Sequence, residues 1–372
     1  MLALSLVALV GCSAEAGAVA GGVAGAEPNR LPEAGRVAVA AIGGGAAAGV
    51  APSSAGRAAE SVAAGGGGRA GQLAAAVGGT VAAGSGGMVA GGAAAAPPIA
   101  RDGLYVLAAG GLELVVDPKL GGRVVRFALD GQNVLTGAEV DSTNWGSTFW
   151  PSPQTSWNWP PVPELDSQPY KVEIVGDTLS LTSEPGMRAR VRVSKRFRVL
   201  PAASGVEVTY TLENTDSMPA SWAPWEISRV AAAGLTFFPR GKSSASTQLP
   251  LIEQGGALWY RHDPAQIMGS GQKWSGDGSE GFIAHVAGQL LFVKAFADLQ
   301  PEQQAPAPEG EVAVYAAPGY VELEPQGPYA SLAPGARTEW SVRWYLRELP
   351  QDLAIEVGSA ALLELARGTT RP

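Results

Sequence analysis

The chain has 372 residues and a net charge of −8, and its composition divides near position 100: the first hundred residues contain no Phe, Trp or Tyr and hold 23 of the 50 glycines, whereas all ten tryptophans lie beyond Asp141. An aromatic-free Gly/Ala stretch buries too little apolar surface to offset its ordering entropy, which excludes a folded N-terminal domain. That stretch carries four basic and four acidic residues, so the acidity belongs to the remainder, and nucleic acid, which needs a basic footprint, is excluded as a partner.

Residues 1–12 form a short apolar run ending Leu9-Val10-Gly11-Cys12, too short for a membrane span and shaped like a signal-peptide core. The ending is similar to the bacterial lipobox, in which the cysteine is acylated, although no Lys or Arg precedes the run. Cys12 is the lone cysteine, so it has no disulfide partner within the chain. Residues 13–100 then read as a disordered Ala/Gly-rich tether. A tether directly after Cys12 suits a lipid-anchored, monomeric domain of the bacterial cell envelope, or a secreted one, whose membrane contact is the anchor alone.

From residue 101 onward the pattern is strand after strand. Short β-rich runs at 104–108, 112–116, 123–129, 171–175 and 178–182 are separated by turn signals such as Gly110-Gly111, Asp130-Gly131 and Gly176-Asp177. The longest run, 187–199, places Arg188, Arg190, Arg192, Arg196 and Arg198 on one face. Further strands are expected at 205–212, 221–230, 235–238, 257–260, 281–286, 290–296, 312–316, 320–324 and 337–346. A single helix is expected at 358–366, with Gly368 as its stop. Some fifteen strands without crossover helices predict an all-β fold of antiparallel sheets packed as a large sandwich over 101–350, followed by a helix and tail over 351–372.

Four groups of residues can carry chemistry. Tyr320, Glu322 and Glu324 alternate with Val321 and Leu323, and Pro325 ends the run; a carboxylate at a strand's end is placed to act as a base, or else belongs to a solvated face. The segment 144–161 gathers Trp145, Phe149, Trp150, Trp157 and Trp159 among prolines, Asn, Gln, Ser and Thr. It reads as a sugar platform, stacking C–H faces on rings while amides meet hydroxyls, or as a Pro-rich loop pinned by its tryptophans. Glu226 beside Trp225 could be an acid of raised pKa or a structural ion pair. The arginine row is either a clamp for anionic groups, with Arg190 or Arg192 as its members, or a solvated face interleaved with Glu207 and Glu213. Of the two histidines, His262 lies in a turn-like context and His285 in an apolar strand. Neither sits in a metal-ligand pattern, and no metal or cofactor is expected.

The phrases Leu112-Glu-Leu-Val-Val-Asp-Pro-Lys-Leu-Gly121-Gly122, Gly131-Gln-Asn-Val-Leu135, Tyr210-Thr-Leu-Glu-Asn-Thr215 and Leu323-Glu324-Pro-Gln326, in that order, resemble the galactose mutarotase-like (aldose 1-epimerase-like) superfamily over 103–349. The resemblance implies a β-supersandwich with a carbohydrate site, Glu324 as base and Gln326 beside it. In that family a histidine protonates the ring oxygen. The stretch where it should fall reads Ala223-Pro224-Trp225-Glu226. The resemblance therefore implies a sugar-binding module without the reaction, or an aldose or uronate epimerase that uses Glu226 or His262 as acid. A cell-surface scaffold without sugar binding is the alternative from another class.

Overall fold

The computed structural model describes residues 95–200 and 205–371. The leader-like run, Cys12 and nearly all of the tether lie outside the described residues.

Alternation along each strand decides which side is buried. In Val191–Leu200, Val191, Val193, Phe197 and Val199 face inward, while Arg192, Arg196 and Arg198 face out. This strand starts four residues later than the expected run at 187, because 187–190 forms a turn in which Arg190 adopts φ 54° and its N–H donates to Gly186. Arg188 and Arg190 therefore leave the row.

All pairings between strands are antiparallel, and they build two sheets. One runs Ile99–Arg101, Leu104–Ala109, Leu112–Asp117, Arg123–Leu129, Ser147–Ser152, Ala220–Ala231, Tyr320–Pro325, Val312–Ala316 and Gln272–Gly278, each bonded to the next. The other runs Lys171–Val175, Thr178–Thr182, Val191–Leu200, Gly205–Asn214, Arg337–Glu348, Leu290–Ala295 and Phe282–Ala287. One long strand, Leu235–Thr247, belongs to both. Residues 235–237 pair with Phe282–Ala287 and 235–239 with Ala257–Arg261, and from Arg240 onward the strand pairs with Gln272–Gly278, with shifts in register between Arg240 and Ser246. The bulge turns the corner that joins the layers.

Between the sheets the core is aromatic. Phe127 of one layer meets Phe292 and Trp344 of the other at 5.5 and 5.3 Å, and Phe149 stacks on Tyr210 at 4.1 Å. A second cluster lies outside the second sheet, where Leu362, Leu363 and Ala366 of the helix Ala360–Thr370 cover Leu235, Phe237 and Trp259. The Ser359 side chain caps this helix through the Leu362 N–H. The helix continues through Gly368, the expected stop, because Arg367 on its last turn is held by Glu280 and Glu364. A second helix, Pro163–Asp166, is four residues long, too short for a periodic signal in the sequence; it supplies Asp166 to the site below.

The Gly121-Gly122 turn has a tertiary reason. Both residues sit at positive φ, +63° and +61°, and a Cβ on Gly121 would lie 2.2 Å from the Asp166 carbonyl oxygen. Their own carbonyls accept the ammonium of the buried Lys195 at 2.7 and 3.1 Å. Burial pulls that ammonium down to about 7.

Candidate functional site

Four neighbouring strands of the first sheet set side chains in a row. Register places Arg229 opposite Glu322, Glu322 opposite Tyr315, and Tyr315 opposite Lys273. Tyr320, Glu322 and Glu324 share this face, as the alternation of 320–324 predicted, while Val321 and Leu323 enter the core. The same period of two carries Trp225 and Arg229 to the outer face and turns Glu226 and Ser228 inward.

Glu324 is the floor of the resulting cleft. Its Oε2 accepts the Trp225 indole N–H at 2.9 Å and the Lys273 ammonium at 2.7 Å, and the residue is 1% exposed. The Lys273 Nζ also lies 4.6 Å from the centre of the Trp225 ring. Burial pushes the Glu324 carboxyl above its usual range; Lys273 opposes this and Glu322 adds to it. Burial alone would lower Lys273, but the Glu324 and Glu309 carboxylates outweigh it and hold the ammonium above its ordinary value. Sequence reasoning misses Lys273. Its one local signal is alternation in the run Gln272-Lys273-Trp274, which says nothing about a partner 51 positions away.

Glu322 is not the surface carboxylate its sequence context suggests. It accepts the Arg229 Nε at 2.8 Å, and Arg229 is sunk beside the Trp150 ring with its Nη1 on Thr148 Oγ1 at 2.7 Å. Trp150 is oriented in turn by the bond from its indole N–H to Asp166 at 2.8 Å. Around this floor, Asp141, Asn144, Gln154, Gln248, Tyr315 and Tyr320 rise to enclose a cavity of about 710 Å³, within the ~300–1,000 Å³ range of small-molecule sites. Lys273 is the one cation among the described residues lining it, against Asp141, Glu322 and Glu324.

The residues singled out from sequence separate into those at the cavity and those elsewhere. Glu324, Trp150, Trp159 and Trp225 line it. Trp159 is the exposed ring of the set, at 52%, whereas Trp157 is 3% exposed and spends its indole N–H on the Pro151 carbonyl. Trp145 packs against the Arg123 guanidinium, 5.0 Å from its ring centre, away from the cavity wall. Gln326 is buried behind the floor, donating to Glu309 at 3.0 Å.

Glu226 stands on the opposite side of the sheet. Both residues of its ion pair with Lys294 have fully buried side chains, and Tyr210 and Trp344 also donate to it. It is a core ion pair, closed to any ligand. His262 braces the cavity wall from behind through a bond to the Ala317 carbonyl at 2.8 Å and does not line the cavity. Arg192 pairs with Glu213, and Arg196 and Arg198 pair with Glu339 and Glu207. The arginine row is thus the outer face of the second sheet interleaved with acids. Arg190, in its turn, is likewise absent from the cavity. Among the described residues no group of three or more His, Cys, Asp or Glu side chains is disposed to hold a metal ion.

No family model and no curated protein matches the chain. Solved structures similar to it include a TPR-domain containing protein from Parabacteroides distasonis ATCC 8503 (14% identity, TM-score 0.50, 68% of this chain), of which this chain spans 48%. They also include a galactose mutarotase-like protein from Lactobacillus casei ATCC 334 (11% identity, TM-score 0.48, 66% of this chain and 100% of that one). A third is a putative aldose 1-epimerase from Escherichia coli K12 (15% identity, TM-score 0.45, 66% and 99%). At these identities the likeness is one of fold. Galactose mutarotase-like and aldose 1-epimerase structures are thus among the chain's structural neighbours.

Proposed function

We propose that the cleft above Glu324 binds carbohydrate. The observation that carries this reading is the convergence, in one cavity, of a buried carboxylate, an ammonium and three indole rings with an amide-rich rim. Rings meet the C–H faces of a pyranose, while carboxylates, Lys273 and the amides of Asn144, Gln154 and Gln248 meet its hydroxyls. Three carboxylates against one ammonium favour a neutral sugar over a uronate. The anionic preference expected from Arg190 and Arg192 has no counterpart in this lining.

Two features argue for binding without turnover. No histidine lines the cavity, and one of the two Glu324 oxygens, Oε2, is already engaged by Lys273 and Trp225. The Glu324–Lys273 contact also favours a second reading, an aldose 1-epimerase. There the carboxylate takes the anomeric hydroxyl proton, Lys273 delivers one to the ring oxygen, and the bond between C1 and the ring oxygen breaks to the open aldehyde. The ring then recloses on either face and both protons return. A glycan array followed by polarimetry of each bound sugar separates these readings. Binding with mutarotation no faster than in buffer supports the module. Faster mutarotation lost in Glu324→Gln supports the epimerase, and an array without hits supports the inert scaffold.

From the lipobox-like ending at Cys12 we also propose that the domain belongs to the bacterial cell envelope, held by an acylated Cys12 and spaced from the membrane by the tether. Metabolic labelling with an alkyne fatty acid tests this: label should enter the wild-type chain and be absent from Cys12→Ser. Unlabelled wild type would leave a secreted domain.

A further inference from the structure

We infer that the cleft continues into a second sugar subsite, so that the ligand is a glycan of at least two linked units rather than a free monosaccharide. This rests on the carbohydrate reading and deepens it. A smaller cavity of about 320 Å³ adjoins the main one, and the two share Gln154, Trp159, Gln248 and Lys273 as walls. Lys273, whose ammonium touches Glu324, therefore stands at the boundary between the two. Beyond that boundary the lining adds the hydroxyls of Thr155 and Ser246 and the amide of Asn158, groups suited to sugar hydroxyls, together with the Glu309 carboxylate.

Trp159 is built to serve both cavities. Its half-exposed ring meets Trp150 edge-on at 6.1 Å. The loop that carries it is pinned from behind by Arg188, which donates to the carbonyls of Trp157, Asn158 and Pro161 at 3.0, 3.3 and 3.0 Å and also to that of Pro160. Glu309 secures the start of the same loop by accepting the Gln154 N–H at 3.2 Å. A large ring held in water by a fixed loop is a preorganised stacking surface, since little loop entropy remains to be lost on binding. Both Glu309 oxygens are already engaged, by Gln154 and Gln326, so the second subsite presents no free carboxylate and suits a neutral unit.

The test uses the full chain on an array of hexoses and hexosamines and their linked di- and trisaccharides, with calorimetric titration of each hit. The linked sugar should bind about three- to tenfold tighter than its monosaccharide, the increment of one aromatic stacking contact. Trp159→Ala should collapse that ratio toward one, and so should Ser246→Trp, which fills the second cavity. A wild-type ratio near one, or a ratio unchanged in both variants, overturns the inference while leaving the monosaccharide site intact. An array on which no glycan of any length binds removes the carbohydrate reading and this inference with it.

Discussion

Lys273 Nζ and Glu324 Oε2 are 2.7 Å apart, the Glu324 side chain sealed at 1% exposure and that of Lys273 open to the cleft at 26%. The two residues sit on strands that are not neighbours, with Val312–Ala316 between them. Their contact spans that strand, so each side chain reaches along the sheet surface to the other.

Removing the ammonium leaves a buried carboxylate with one indole donor. A fully buried pair broken this way costs ~3–5 kcal/mol, and the partial exposure of Lys273 reduces that to about 1–3 kcal/mol for Lys273→Met. Adding Glu324→Gln should restore part of the loss, because the double variant has no orphaned charge. Urea unfolding of the four proteins checks this, and additive effects of the two changes would contradict a direct pair.

Glu226 offers the contrasting case. Glu226→Gln strands the Lys294 ammonium, whose side chain is fully buried, and should destabilise the fold by ~3–5 kcal/mol. Sugar affinity of the folded fraction should stay within about twofold of wild type, since RT ln 2 is ~0.4 kcal/mol and the residue faces the core. A tenfold loss of affinity with unchanged stability would return Glu226 to the site.

Arg188 is the support of the Trp159 loop. Arg188→Ala removes donors from four carbonyls at the protein surface and should cost about 1–2 kcal/mol, because those carbonyls can turn to water. Its larger effect should be on tryptophan emission and on the preference for linked sugars, both of which depend on where Trp159 is held. Lys in place of Arg188 should recover little, since a single ammonium cannot span the fork of carbonyls.

Stability should fall as pH rises from mildly acidic to neutral, through Glu311. Burial pushes its carboxyl up to about 8; the Leu299 and Gly278 N–H groups oppose this, and Asp298 and Asp277 add to it. A raised value means that the folded state holds its proton longer than the unfolded chain. The contribution is therefore full below the ordinary 4.5 and is lost as pH rises through about 8. Unfolding free energies from urea titrations between about pH 5 and pH 8 should decline by up to a few kcal/mol, because one proton bound only in the folded state gives a slope of ~1.4 kcal/mol per pH unit. The decline should be less steep in Glu311→Gln. Equal slopes in the two proteins would assign the decline elsewhere, with Glu324, raised by the same cause, as the next group to replace.

Much of the architecture is written locally. A period of two with turn residues between runs is a property of each strand by itself, so the antiparallel sandwich, the face shared by Tyr320, Glu322 and Glu324, and the loop crowded with tryptophans are all legible in the chain. Parity even shows that Trp225 and Glu226 must part to opposite faces. It does not show which face is the core, and adjacency to Trp225 alone makes Glu226 resemble a usable acid. The arginine run is legible in part: its last members alternate outward and Glu207 and Glu213 can be named as interleaved acids, but Glu339 comes from a strand that only the fold sets nearby.

The cleft itself was decided in three dimensions. Lys273 and Glu324 are 51 positions apart, Trp225 and Glu324 99, and Arg229 and Glu322 93. Each pairing depends on the register between strands distant in the chain, which hydrophobic alternation constrains only to one face or the other. Sequence order could mark Glu324 as a site residue, but the ammonium that holds it, and the second cavity that opens beside that ammonium, exist only where strands and loops distant in the chain meet.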